Sequence, residues 1–171
     1  MTHKAQLISI ISLLLFLSCS KKESQNKKYG ELETEFNFSI KNSKAKSFEF
    51  QFDGLTPQKS YFVDCKLKFL TLRKSGELIT TTELITFDKD SISKIIKRIE
   101  IYEGNDNGNT AGRDWNNIEA DSIYIIDYVN RNVEVFAENK SVQKHSNLRG
   151  QTENDFIYRL KKHTEENYNC R

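Results

Sequence analysis

The chain has 171 residues, of which 26 are Lys or Arg and 24 are Asp or Glu, giving a formal net charge of +2. Nucleic-acid binding needs a basic stripe, and so near a balance excludes one, so no nucleic-acid partner is expected. At 37% hydrophobic residues with a single Pro, the length suits one folded domain.

The N-terminus is the most informative stretch. His3 and Lys4 precede an apolar run, Leu7 to Leu17, broken only by Ser9 and Ser12, and the run ends at Ser18-Cys19. As a helix it would measure about 17 Å, against roughly 30 Å of hydrocarbon, so it is too short to span a bilayer. A charged start, a short apolar middle and a small residue before the cut form the layout of a secretory signal peptide. Leu17-Ser18-Cys19 resembles the lipobox of bacterial lipoprotein precursors, with Phe16 where Leu is usual. The resemblance implies cleavage before Cys19, whose thiol then carries a diacylglycerol and whose amine is acylated by a fatty acid such as palmitate. Several acyl chains hold a protein on a membrane where one does so only marginally. Leu-Ser-Cys-Ser-Lys-Lys also resembles Bacteroidota lipoproteins. The implied location is the cell membrane or outer membrane, facing periplasm or cell surface. Lys4 is the only charged residue in 1–18, so processing takes the net charge from +2 to +1.

Residues 19–30 read as a lipidated tether. Ser20 to Tyr29 carries four lysines and no apolar periodicity, and as flexible coil spans about 18 Å.

From Leu32 the pattern changes to period two. Leu32, Thr34, Phe36, Phe38 and Ile40 alternate with polar neighbours, as do Phe48, Phe50 and Phe52, and each set predicts a strand. Lys41 to Lys46 is polar and turns the chain. Tyr61, Val63, Cys65, Leu67 and Phe69 also alternate, which predicts one half-buried strand with all five on one face. The stretch Gly54-Leu55-Thr56-Pro57 through Tyr61 resembles the E-to-F corner of fibronectin type III domains, where a tyrosine bonds back to upstream backbone. That resemblance implies a sandwich and a tyrosine corner; the two strands available before residue 53 do not match the family's topology.

Lys74 to Glu77 is a turn, and Leu78 to Phe87 returns as a strand. Ile92, Ile95, Ile96 and Ile99 recur at helical spacing while Ile99 and Ile101 read as strand, so a helical turn feeding a strand is expected. Glu103 to Asp121 reads as the longest irregular stretch. Strands follow around Ile123 to Val129 and Val133 to Phe136, separated by Asn130-Arg131-Asn132. Asp-Ser-Ile occurs at 90 and again at 121 and resembles the Bacteroidota O-glycosylation acceptor. Residues 139–151 form a polar linker, and Thr152 caps a last helix whose stripe is Phe156, Ile157, Leu160 and Thr164.

The expected fold is mainly β, an antiparallel β-sandwich of immunoglobulin or fibronectin type with a short C-terminal α-helix. Its domains are a signal peptide at 1–18, the tether at 19–30, the sandwich at 31–140, and linker plus helix at 141–171. Cys65 and Cys170 remain after lipidation of Cys19. They form a disulfide in an oxidising compartment, or stay a core thiol and a tail thiol.

No nucleophile elbow, phosphate loop or paired metal motif is present, and His145 and His163 each stand alone. The reading is therefore non-enzymatic, with a hydrolase as the third alternative since a triad can be assembled from distant residues, and without a cofactor apart from a calcium candidate. Glu103, Asn105, Asn107 and Gly108 fall at positions 1, 3, 5 and 6 of an EF-hand-like cage, with Asp114 at position 12. Position 1 is normally Asp and the closing residue normally Glu, so ordinary turn chemistry accounts better for the Asn and Gly. Trp115 either pins this stretch to the body or joins Arg113, Asp114 and Asn116 in a surface for a protein partner, since long loops on rigid sheets carry binding residues. The function expected is a lipid-anchored envelope protein serving as a binding or structural module. The alternative is an envelope inhibitor or immunity protein against a secreted enzyme.

Overall fold

The computed structural model describes residues 27–51, 58–105, 112–137, 140–145 and 151–170. They build helix α1 (27–42), strands β1 (Lys46–Phe48), β2 (Gln58–Val63), β3 (Lys66–Ser75), β4 (Ile79–Asp88), β5 (Ser91–Asn105), β6 (Gly112–Asp127), β7 (Asn132–Ala137) and β8 (Lys140–His145), and helix α2 (Gln151–Asn167). The strands form one open antiparallel sheet in which each pairs with its sequence neighbour, β1 through β8. The mainly β expectation holds, with its C-terminal helix. The two stacked sheets of a sandwich are replaced, among the described residues, by one sheet with a helix on each face.

The first helix is a correction, because residues 32–40 were expected to be a strand. Leu32, Phe36 and Ile40 fit a period of two and a period of 3.6 equally well, and Tyr29 fits only the helix. Tyr29, Leu32 and Phe36 are buried against Phe69, Leu84, Ile96 and Ile123, with Ile40 packed beside them, whereas Phe38 is 64% exposed. Residues 27–30, assigned to the tether, belong to this helix. It ends in a Schellman motif. Lys44 takes a left-handed conformation (φ 52°), its N–H donates to the Lys41 carbonyl, and the Ala45 N–H donates to that of Ile40.

The expected single strand 61–69 is a hairpin. Asp64 and Cys65 both have positive φ (47° and 64°), the backbone of a tight two-residue turn whose twist suits antiparallel strands. Cys65 is thus exposed at a turn and not on a buried strand face. Tyr61 and Phe69 pack on the α1 side of the sheet, and Leu67 on the α2 side.

On the α2 face, Ile157 and Leu160 pack among Phe62, Leu70, Leu72, Ile85, Phe87 and Ile95. With both faces covered, β4 and β5 carry apolar residues at consecutive positions: Leu84 and Ile96 point to α1, Ile85 and Ile95 to α2. The helix-like spacing of Ile92, Ile95, Ile96 and Ile99 has this origin, helped by a bulge at Thr86/Phe87. All of 91–105 is strand.

The chain end is fastened to the sheet. Cys170 is disulfide-bonded to Cys65 with Cα atoms 5.6 Å apart, and the Tyr168 ring stacks on Phe62 at 3.8 Å between centroids. Thr164 is fully buried, its hydroxyl accepting from Gln58 Nε2 at 2.9 Å and donating to the Leu160 carbonyl at 2.7 Å. Glu165 accepts from the Leu67 N–H and from Lys161, whose stem is buried near Phe87.

Candidate functional site

The stretch 103–121 is largely two strands of a long hairpin, which corrects its reading as an irregular loop. Gly104 pairs with Arg113 and Asn105 with Gly112, and β6 then runs unbroken through Asp127. Arg113, Asp114, Trp115 and Asn116 are consecutive residues of that strand, with Asp114 half-buried. Of the calcium candidates, Asn107 and Gly108 lie outside the described residues, while Glu103 is exposed on β5 and Asp114 half-buried on β6. Among the described residues no group of three or more His, Cys, Asp or Glu is placed to hold a metal. His163 lies on the exposed side of α2 with Nδ1 3.4 Å from Glu166, and His145 ends β8. Cys19 lies outside the described residues.

The polar chemistry gathers elsewhere, at the end of the α1 face where Tyr29 lies in the first turn of the helix. Here the sheet carries charge in the middle of its strands: Arg73 on β3, Arg98 and Glu100 on β5, Asp121 on β6. Arg98 grips Asp121 through Nε at 3.1 Å and Nη2 at 2.6 Å, and its Nη2 also meets Glu100 at 3.1 Å. Two parallel bonds to one carboxylate fix the guanidinium plane, and the cation lies 4.9 Å from the centre of the Tyr29 ring. Burial works against the Arg98 charge, but the bond and charge of Asp121, then Glu100, outweigh it and raise its pKa. The Tyr29 hydroxyl is buried with no hydrogen-bond partner among the described residues. Burial first, and the charge of Glu33 next, push its pKa up to about 12.

A groove of about 730 Å³ opens beside this cluster, between the start of α1, the segment 49–51 that follows β1, and strands β2 to β5. Tyr29 and Phe50 supply its aromatic surface. Its charged lining is balanced: Lys59, Arg73 and Arg98 against Glu33, Glu49 and Glu100. Thr71 and Thr82 add hydroxyls. None of these residues is a site candidate from the sequence, where Phe50 reads only as part of a strand, although the Lys-Arg-Ile-Glu-Ile run inside an isoleucine-rich strand is a visible signal. The missing step was recognising α1, without which Tyr29 is only part of a tether.

No protein-family model matches the chain, and no curated protein or solved structure does. Among the described residues no helix is long and apolar enough to cross a membrane.

Proposed function

We propose that this chain is a lipid-anchored protein of a bacterial envelope and that its helix-covered sheet is a binding module presented on that anchor. The observation that carries the reading is the Leu7–Leu17 apolar run closing on Leu17-Ser18-Cys19, which suits export and acylation and is too short to be a span. The Cys65–Cys170 disulfide supports it independently. Both cysteines are exposed, so a reducing cytosol would open the bond, whereas an oxidising compartment preserves it. Binding is preferred to catalysis because the groove holds fixed ion pairs and an unused hydroxyl instead of a nucleophile beside a base.

The anchor is tested by fractionation. In a bacterial host with lipoprotein-processing enzymes, the wild type should sediment with membranes and partition into detergent. Cys19→Ser should accumulate as an unprocessed precursor or appear in the soluble fraction. Equal partitioning of the two forms would refute lipid anchoring.

A further inference from the structure

We propose that the groove between α1 and β2–β5 binds an uncharged saccharide. This rests on the binding-module reading and adds the ligand class. Three cations face three carboxylates along the groove, so no net field selects an anion or a cation. Five of the six charged groups, all but Lys59, are also planar forks: a guanidinium offers paired donors, a carboxylate paired acceptors. Adjacent hydroxyls of a sugar ring are donor and acceptor at once and satisfy both kinds of fork. A simple ion satisfies one and is repelled by the other.

The details on each side agree with that chemistry. Arg98 is already held by Asp121 and Glu100, so it shapes the wall. Arg73, in contrast, lines the groove exposed and forms no ion pair among the described residues. Phe50, half-buried at the groove, gives the apolar surface on which the C–H face of a sugar ring packs. Tyr29 adds the decisive feature: 7% exposed, it keeps its hydroxyl without a partner among the described residues. A buried hydroxyl left unpaired costs stability. A hydroxylated ligand entering the groove supplies the missing partner.

The mature protein, purified in detergent, is applied to an array of neutral and acidic oligosaccharides alongside Tyr29→Phe, Arg73→Ala and Phe50→Ala. Neutral glycans should be retained, with Arg73→Ala and Phe50→Ala weakening retention at least tenfold. Tyr29→Phe keeps the ring and removes only the hydroxyl, so it should melt no lower than the wild type and still bind about tenfold more weakly. Retention of acidic glycans alone, of no neutral glycan, or of equal amounts by wild type and all three variants would overturn the proposal. The readout uses purified protein, so it is independent of whether Cys19 carries lipid.

Discussion

At the scale of single residues, Tyr29 sets packing against hydrogen bonding. Its ring fills space beside Leu32 while its buried hydroxyl has no partner among the described residues. Removing an unsatisfied buried polar group recovers its desolvation penalty, so Tyr29→Phe should raise unfolding free energy at pH 7 by about 1–3 kcal/mol, measured by urea denaturation. The pH dependence has a definite sign. The phenol ionises near 10 in the unfolded chain and at about 12 in the folded one, so the folded state holds its proton more tightly. Stability from this group is complete below pH 10 and is lost as pH rises from 10 towards 12. Titration followed by tyrosinate absorbance should show Tyr29 ionising late, and its contribution to the late step should vanish in Tyr29→Phe.

At the scale of elements, the two helices divide the sheet between them. The helical and extended readings of 32–40 differ most sharply at one pair of residues. As a strand, Phe36 and Phe38 would share a face and matter equally; as a helix, Phe36 is buried and Phe38 is not. Phe36→Ala should cost about 3–5 kcal/mol, while Phe38→Lys should change stability by less than about 0.5 kcal/mol. Comparable losses at both positions would restore the strand. On the other face, α2 is held by Ile157 and Leu160 and by the disulfide that fastens its end to the β2–β3 turn. The bridge closes a loop with a sequence separation of 105, long enough for a large restriction of the unfolded chain. Cys170→Ser should lower stability by about 2–5 kcal/mol, and reduction of the wild type should lower it by a similar amount.

At the scale of the whole molecule, what the sequence revealed and what it hid have the same cause. The Thr- and Ile-rich composition of β4, and Val133 and Val135 of β7 beside the turn at 130–132, made those two strands legible. The α2 stripe was legible because Ile157, adjacent to Phe156, breaks the period of two that Phe156, Leu160 and Thr164 alone would allow. Coverage on both faces erases alternation, which made β5 look partly helical at Ile92, Ile95 and Ile96. A hairpin turn made of Asp64 and Cys65, without the usual glycine, hid the break between β2 and β3. Leu32, Phe36 and Ile40 sit at spacings divisible by both two and four, so α1 passed for a strand, and with it went the groove that α1 helps to form. Cys65 and Cys170 are the reverse case, a pair suggested by cysteine count alone whose Cα separation of 5.6 Å lies within disulfide reach.

Location and bonding meet in one measurement, the intact mass of the mature protein before and after reduction and alkylation. A lipid-anchored chain bearing the bridge should begin at Cys19, carry diacylglyceryl and fatty-acyl groups there, and take up two alkyl groups only after reduction. A mature chain beginning elsewhere, an unmodified Cys19, or two alkyl groups gained without reduction would contradict it.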